Sequence, residues 1–216
     1  MSARYPGYDV LSKRWSPSWN DQTRAVIDAR MKVAPDAHRF LDDREWGTLC
    51  ALCARIVPQP SNSSGPAPPV AAMLDDVLAE DLREGFRDAR MPPLREAWQR
   101  GLRALDAEAQ QRHGMQFAQL PPSSQDALLV HVQRGETQTG AWGDMPPKVF
   151  FARRVLHDLA GIYFSHPTAW SDIGFGGPAS PRGYVRLSYD RRDPWEAAEA
   201  HPGSEERARR DNAHVG

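Results

Sequence analysis

Cys50-Ala51-Leu52-Cys53 is the first stretch in which side chains of redox or metal-binding type stand at a chemically meaningful spacing. A C-x-x-C pair can act as a dithiol or supply half of a zinc site. Zinc needs two further ligands at suitable spacing, and haem attachment needs a His after the second Cys, where Ala54 stands. Both sulfurs fall on the apolar face drawn by Trp46, Leu49, Ile56 and Val57, so the pair reads as core packing. Gly174, Gly176 and Ala179 fit G-x-G-x-x-A, the turn that brings a helix amino end to a pyrophosphate. That turn must follow a strand and open a helix; here Pro178 interrupts and no strand pattern precedes, so the glycines read as letting a loop lie flat on another surface. His157, Asp158, His166 and Asp172 are acid-base and metal-ligand types in one stretch. The spacing of the two histidines matches no recognised metal motif and no G-x-S-x-G nucleophile accompanies them, so structural hydrogen bonding is favoured over proton handling.

The elements that must position these residues are helical. Trp46, Leu49, Cys50, Cys53, Ile56 and Val57 recur at i, i+3, i+4, i+7 until Pro58. Val70, Met73, Leu74, Val77, Leu78, Leu82 and Phe86 predict a second helix, closed by Pro92-Pro93. Leu94, Ala97, Trp98, Gly101, Leu102, Leu105 and Ala109 predict a third, with Gly114 as its left-handed cap. Ser123 and Asp126 resemble a capping box for a short helix that runs to Gly135. A last stripe, Val149, Ala152, Leu156, Leu159, Ala160 and Tyr163, ends before Ser165-His166-Pro167. No alternating strand pair with a hairpin turn appears. The expected fold is all-α, an irregular bundle of about five to six helices with extended terminal arms.

Within 216 residues this predicts an N-terminal arm with a short helix over 1–40, one helical domain over 41–187, and a charged tail over 188–216. The tail has too few aliphatic residues to fold alone and is expected to be disordered or ordered by a partner. Lys plus Arg number 27 against 28 Asp plus Glu, which removes the basic footprint of a nucleic-acid binder. No apolar run is long enough to insert in a bilayer. The stretch from Met1 to Lys13 lacks the apolar core of an export signal, which predicts a cytoplasmic chain and leaves export with a partner open.

In order along the chain, Arg55-Ile56-Val57-Pro58, then Gly101-Leu102-Arg103-Ala104-Leu105-Asp106 with Gly114 and Phe117, then Leu120 and Gly135, lead to the aromatic helix Phe150 to Phe164. His166-Pro167, Trp170 and Ile173-Gly174-Phe175-Gly176-Gly177-Pro178 close the series. This succession, over roughly Leu41 to Tyr184, resembles subunit 3 of the gluconate 2-dehydrogenase family, the small subunits of flavin-dependent sugar and polyol dehydrogenases. The resemblance implies a non-catalytic assembly or stability subunit with no cofactor of its own. FAD and the redox chemistry would reside in a partner large subunit of the glucose-methanol-choline oxidoreductase type. Trp170, Ile173, Gly174, Phe175, Gly176, Gly177, Pro178, Arg182, Tyr184 and Trp195 are the expected partner-binding residues, large anchors beside glycines that permit close approach. The rival readings are an independent enzyme using His157, His166 and Asp172, and a helical adaptor unrelated to redox.

Overall fold

A computed structural model describes residues 3–59, 65–81, 88–180, 183 and 192–215. Among these the protein is helical and contains no strand; the only β feature is an isolated bridge between Trp19 and Ser180. No helix among the described residues is long and apolar enough to cross a membrane. The chain divides into two compact units, a central one of Ala34–Pro58 with Pro69–Ile162, and a terminal one of Met1–Val33, Gln59–Pro68 and Tyr163–Gly216.

The central unit begins with α2 (Asp43–Ile56), α1 (Asp21–Met31) belonging to the terminal unit. Its first turn is closed by a capping box in which Asp42 accepts the Glu45 N–H and Glu45 accepts the Asp42 N–H. Leu49, Leu52 and Cys53 form its buried face. α3 (Val70–Glu80) buries Met73, Leu74 and Leu78 and stops at Asp81, whose φ of 52° is left-handed. It therefore ends earlier than the apolar pattern predicts, and Leu82 and Phe86 lie outside the described residues. α4 (Leu94–His113) buries Trp98, Leu102, Leu105 and Ala109 and ends at Gly114, with φ of 67°. α5 (Pro122–Arg134) ends at Gly135. The capping box expected from Ser123 and Asp126 does not form, because Pro122 opens the helix one residue earlier and Asp126 is taken by Arg55 through two contacts of 2.7 Å. α6 (Pro147–Phe150), a π-helical stretch Phe151–Leu156 and α7 (His157–Tyr163) run on as one rod.

Buried carboxylates tie the connections of this unit to its helices. Asp75 on α3 accepts the backbone N–H groups of Phe40 and Leu41 at 3.1 and 2.9 Å, and that of Arg39. Asp106 on α4 accepts the Phe117 N–H at 2.9 Å and the Thr48 hydroxyl at 3.2 Å. Glu108, two residues further along α4, accepts the N–H groups of Gln138 and Thr139 and the Thr139 hydroxyl.

The terminal unit departs from the expected arm and tail. Tyr8, Val10, Trp19, Ile27, Trp170 and Val215 form one buried cluster, so three segments, each too poor in aliphatic residues to fold alone, pool their large side chains. The terminal unit also contains α8 (Pro167–Ile173), and the tail forms a helix of its own, α9 (Glu205–Asn212). Buried Asn212 accepts the Ala198 N–H and donates to the carbonyls of Ala198 and Pro6, joining the two ends of the chain.

Gly101 on α4 is where the central core is least forgiving. A Cβ there would lie 2.1 Å from Cζ of Phe150, which is fully buried against Trp98 and Trp142 and has nowhere to move. Gly101→Ala gains about 1 kcal/mol of helix propensity, but overpacking of this kind costs about 1–3 kcal/mol or more. Net destabilisation is expected, read as a lower urea midpoint with unchanged slope. Asp75→Ala, which leaves up to three loop N–H groups without an acceptor, should cost about 3 kcal/mol in the same measurement. An unchanged midpoint for Asp75→Ala would mean that the 39–41 loop is held by packing alone.

Candidate functional site

The sequence-predicted chemical residues are built into packing. Cys53 is buried on α2 and Cys50 is half-buried; burial pushes both thiols above their ordinary range, and the thiolate form that metals and redox exchange require is disfavoured. Among the described residues no group of three His, Cys, Asp or Glu is placed to hold a metal ion. His157 is in the central unit, exposed at the start of α7 with Nδ1 3.1 Å from Asp158. Asp158 in turn accepts the Trp98 indole N–H at 3.0 Å, a core-to-helix link. His166 and Asp172 belong to the terminal unit, so the proposed triad is divided between the units.

His166 is a capping residue. Its Nδ1 accepts the Thr168 N–H at 3.3 Å at the start of α8, with the ring buried. The preceding helix ends before this point as its apolar stripe predicts, and Pro167 opens a further helix over Pro167–Ile173 that no apolar stripe announced. α8 ends at Gly174, with φ of 69°, where a Cβ would meet the Tyr5 ring at 2.5 Å. Gly177, also left-handed, lies under Trp170 and Val10. The surface these glycines approach is the chain's own N-terminal segment, and the G-x-G-x-x-A stretch follows a helix where a dinucleotide turn follows a strand. The 3₁₀ helix Val10–Trp15 packs against α8, with the Val10 N–H donating to the Ser171 hydroxyl at 3.1 Å.

The predicted partner-binding residues separate into inner and outer sets. Trp170 is 4% exposed and its indole N–H donates to the Phe164 carbonyl. Ile173 and Phe175 are 48% and 43% exposed, and Phe175 stands edge-on to Trp170 at 5.9 Å. Gly176, Pro178 and Trp195 are half-buried and Gly177 is buried; Arg182 and Tyr184 lie outside the described residues. Phe164, 48% exposed and bonded through its carbonyl to Trp170, joins the outer set and was missed because it ends an apolar helix stripe, where an aromatic residue reads as core. Trp15, in the expected N-terminal arm, is 78% exposed with Arg14 and Arg24 each 5.2 Å from its ring centroid.

Fold and surface thus define an all-α protein that presents exposed apolar side chains on a short capped helix and loop. Residues 43–177, well over half of the chain, match gluconate 2-dehydrogenase subunit 3. The chain belongs to that family. No curated protein and no solved structure matches it.

Burial, and then the nearby Arg30, hold the His166 imidazole below its ordinary value of 6.5. The unfolded chain takes up this proton first as the pH falls, so the stability His166 secures is present above about 6.5 and is lost as the pH drops below it. His166→Asn keeps a side-chain acceptor for the cap but does not titrate. Thermal unfolding from about pH 8 down to about pH 5 should fall more steeply for the parent than for the variant; parallel curves would remove His166 from the pH response.

Proposed function

We propose that this chain is a non-catalytic assembly and stability subunit of a sugar or polyol dehydrogenase complex. Its partner would be an FAD-dependent large subunit of the glucose-methanol-choline type, which carries the flavin and the substrate site. The observation that supports this is the outer face of α8 and its loop, where Phe164, Ile173 and Phe175 stay exposed within the stretch that matches the family. Large apolar side chains grouped on a rigid element are the usual makings of an interface centre. The glycines and Pro178 shape the loop. The chemistry would then take place in the partner, and the expected location of this chain is the cytoplasm.

The test is co-expression with a glucose-methanol-choline type flavoprotein from the same organism. The chain purified alone should show no flavin absorbance, and dehydrogenase activity should follow the large subunit; stoichiometric flavin in the isolated chain would overturn the reading. Truncating an interface anchor costs about 2 kcal/mol, so Phe175→Ala should weaken assembly roughly thirtyfold while leaving the melting temperature of the isolated chain unchanged. Trp170→Ala, at a buried position, should instead lower that melting temperature. Full assembly by a folded Phe175→Ala, Ile173→Ala double variant would remove this face from the interface.

A further inference from the structure

The central unit holds a cleft of about 480 Å³ between the start of α2 and the middle of α4, lined by Arg44, Glu45, Thr48, Arg103 and Asp106 among others. Its charges are layered. The side chains of Glu45 and Asp106 are each 3% exposed, whereas those of Arg44 and Arg103, which face them, are 59% and 64% exposed. The carboxylates therefore form the floor and the guanidinium groups the rim. Arg44 donates its Nε–H to Asp106 at 2.5 Å, whereas Arg103 Nε lies 2.7 Å from Glu45 Oε1 as an ion pair without hydrogen-bond geometry.

An Nε contact uses one of the five N–H donors of a guanidinium and leaves both Nη groups available. The floor is committed internally except for Glu45 Oε1, which is buried without a hydrogen bond. Asp106 also takes the Thr48 hydroxyl and the Phe117 N–H, and the second oxygen of Glu45 takes the Asp42 N–H of the helix cap. We propose that this cleft binds a carboxylate group, received by the Nη edges of Arg44 and Arg103. Two guanidinium groups oriented in advance by buried acids lose little freedom on binding, and their planar forks match a carboxylate. Leu102 and Ala107 supply an apolar wall for the attached carbon skeleton and Gln110 a further polar group at the edge. Arg44 and Arg103 stand against Asp42, Glu45 and Asp106 in the lining, so no net positive charge draws the anion in; recognition rests on the Nη contacts at short range and should weaken in salt.

The carboxylate can come from a free organic acid or from an acidic side chain of the partner subunit; the second source rests on the function proposed above. Titration of the full-length chain with citrate and with malonate, followed by NMR against sodium chloride at matched ionic strength, tests the first. Ala107→Phe fills the cleft without touching either ion pair, and Arg44→Gln removes one rim donor set. Saturable binding of citrate or malonate, weakened about tenfold or more by both variants and not reproduced by chloride, establishes the cleft as a site for free acid. No response to free acids, with co-purification of the dehydrogenase weakened about tenfold by Ala107→Phe at an unchanged melting temperature, assigns the partner's side chain. Binding that survives both variants, a response that chloride reproduces, or no effect in either assay overturns the proposal. A parent chain that never co-purifies with the flavoprotein sinks the subunit reading, and the citrate titration then decides the cleft by itself.

Discussion

In the central unit Asp75, Asp106 and Glu108 are removed from water almost completely, at 0%, 2% and 1% exposure, and the loops are organised around them. A buried carboxylate without donors would cost several kcal/mol, and loop N–H groups turned inward without acceptors would cost a comparable amount. Each requirement answers the other. The 39–41 loop turns its N–H groups onto Asp75, the turn before α5 places Phe117 on Asp106, and the strand of coil after α5 places Gln138 and Thr139 on Glu108. Burial pushes Glu108 upward, yet these donors hold it below the ordinary carboxylate range, so the clamp stays charged at neutral pH. Two of the three acids belong to α4, which also gives Trp98 to Asp158 and receives Phe150 over Gly101. α4 is thus the helix against which the others are measured.

Signals that act within one turn of helix were legible in the sequence, and signals that act across the chain were not. The apolar stripe of α4 and the glycine caps at Gly114 and Gly135 depend on residues three or four apart and appear in the structure as read, whereas on α2 the buried face runs through Leu49, Leu52 and Cys53 and leaves Trp46, Cys50 and Ile56 half-buried. Asp75 meets residues 34 to 36 positions away and Glu108 meets residues 30 and 31 away, at separations no local pattern reports. The terminal unit was illegible for the same reason. Tyr8, Trp170 and Val215 come from both ends of the chain, and each segment, judged by its own aliphatic content, looked unable to fold. At Ser123 the local signal was present and lost, because the carboxylate that would have closed a box found the Arg55 guanidinium of another helix.

At the candidate surface the sequence revealed which segment is unusual but not the direction each side chain takes. Its mixture of aromatic residues and glycines holds two functions at once. Trp170, Gly174 and Gly177 face inward, where Tyr5, Tyr8 and Val10 lie against them, while Ile173 and Phe175 face outward. The inward set fixes the outward set: with Trp170 buried and bonded to the Phe164 carbonyl, and α8 closed by His166 and Gly174, the exposed rings are held before any partner arrives. An anchor held this way gives up less conformational freedom on association than a mobile one.

This arrangement also explains why the chain extends beyond the part that matches the family. The match ends at residue 177, yet the support beneath α8 comes from residues before it and after it. Val10 donates to Ser171, Tyr8 reaches the Phe175 carbonyl, Ser12 donates to the Val215 carbonyl, and Asn212 donates back to Pro6. The N-terminal segment is therefore held on one side by α8 and on the other by α9 and the residues that follow it. A shortened chain that kept every matched residue would lose the groups that cover Trp170 and occupy the space above Gly174. The terminal segments are in this sense the part of the fold that gives α8 and its loop their shape, and the outward face of α8 depends on residues that never touch it.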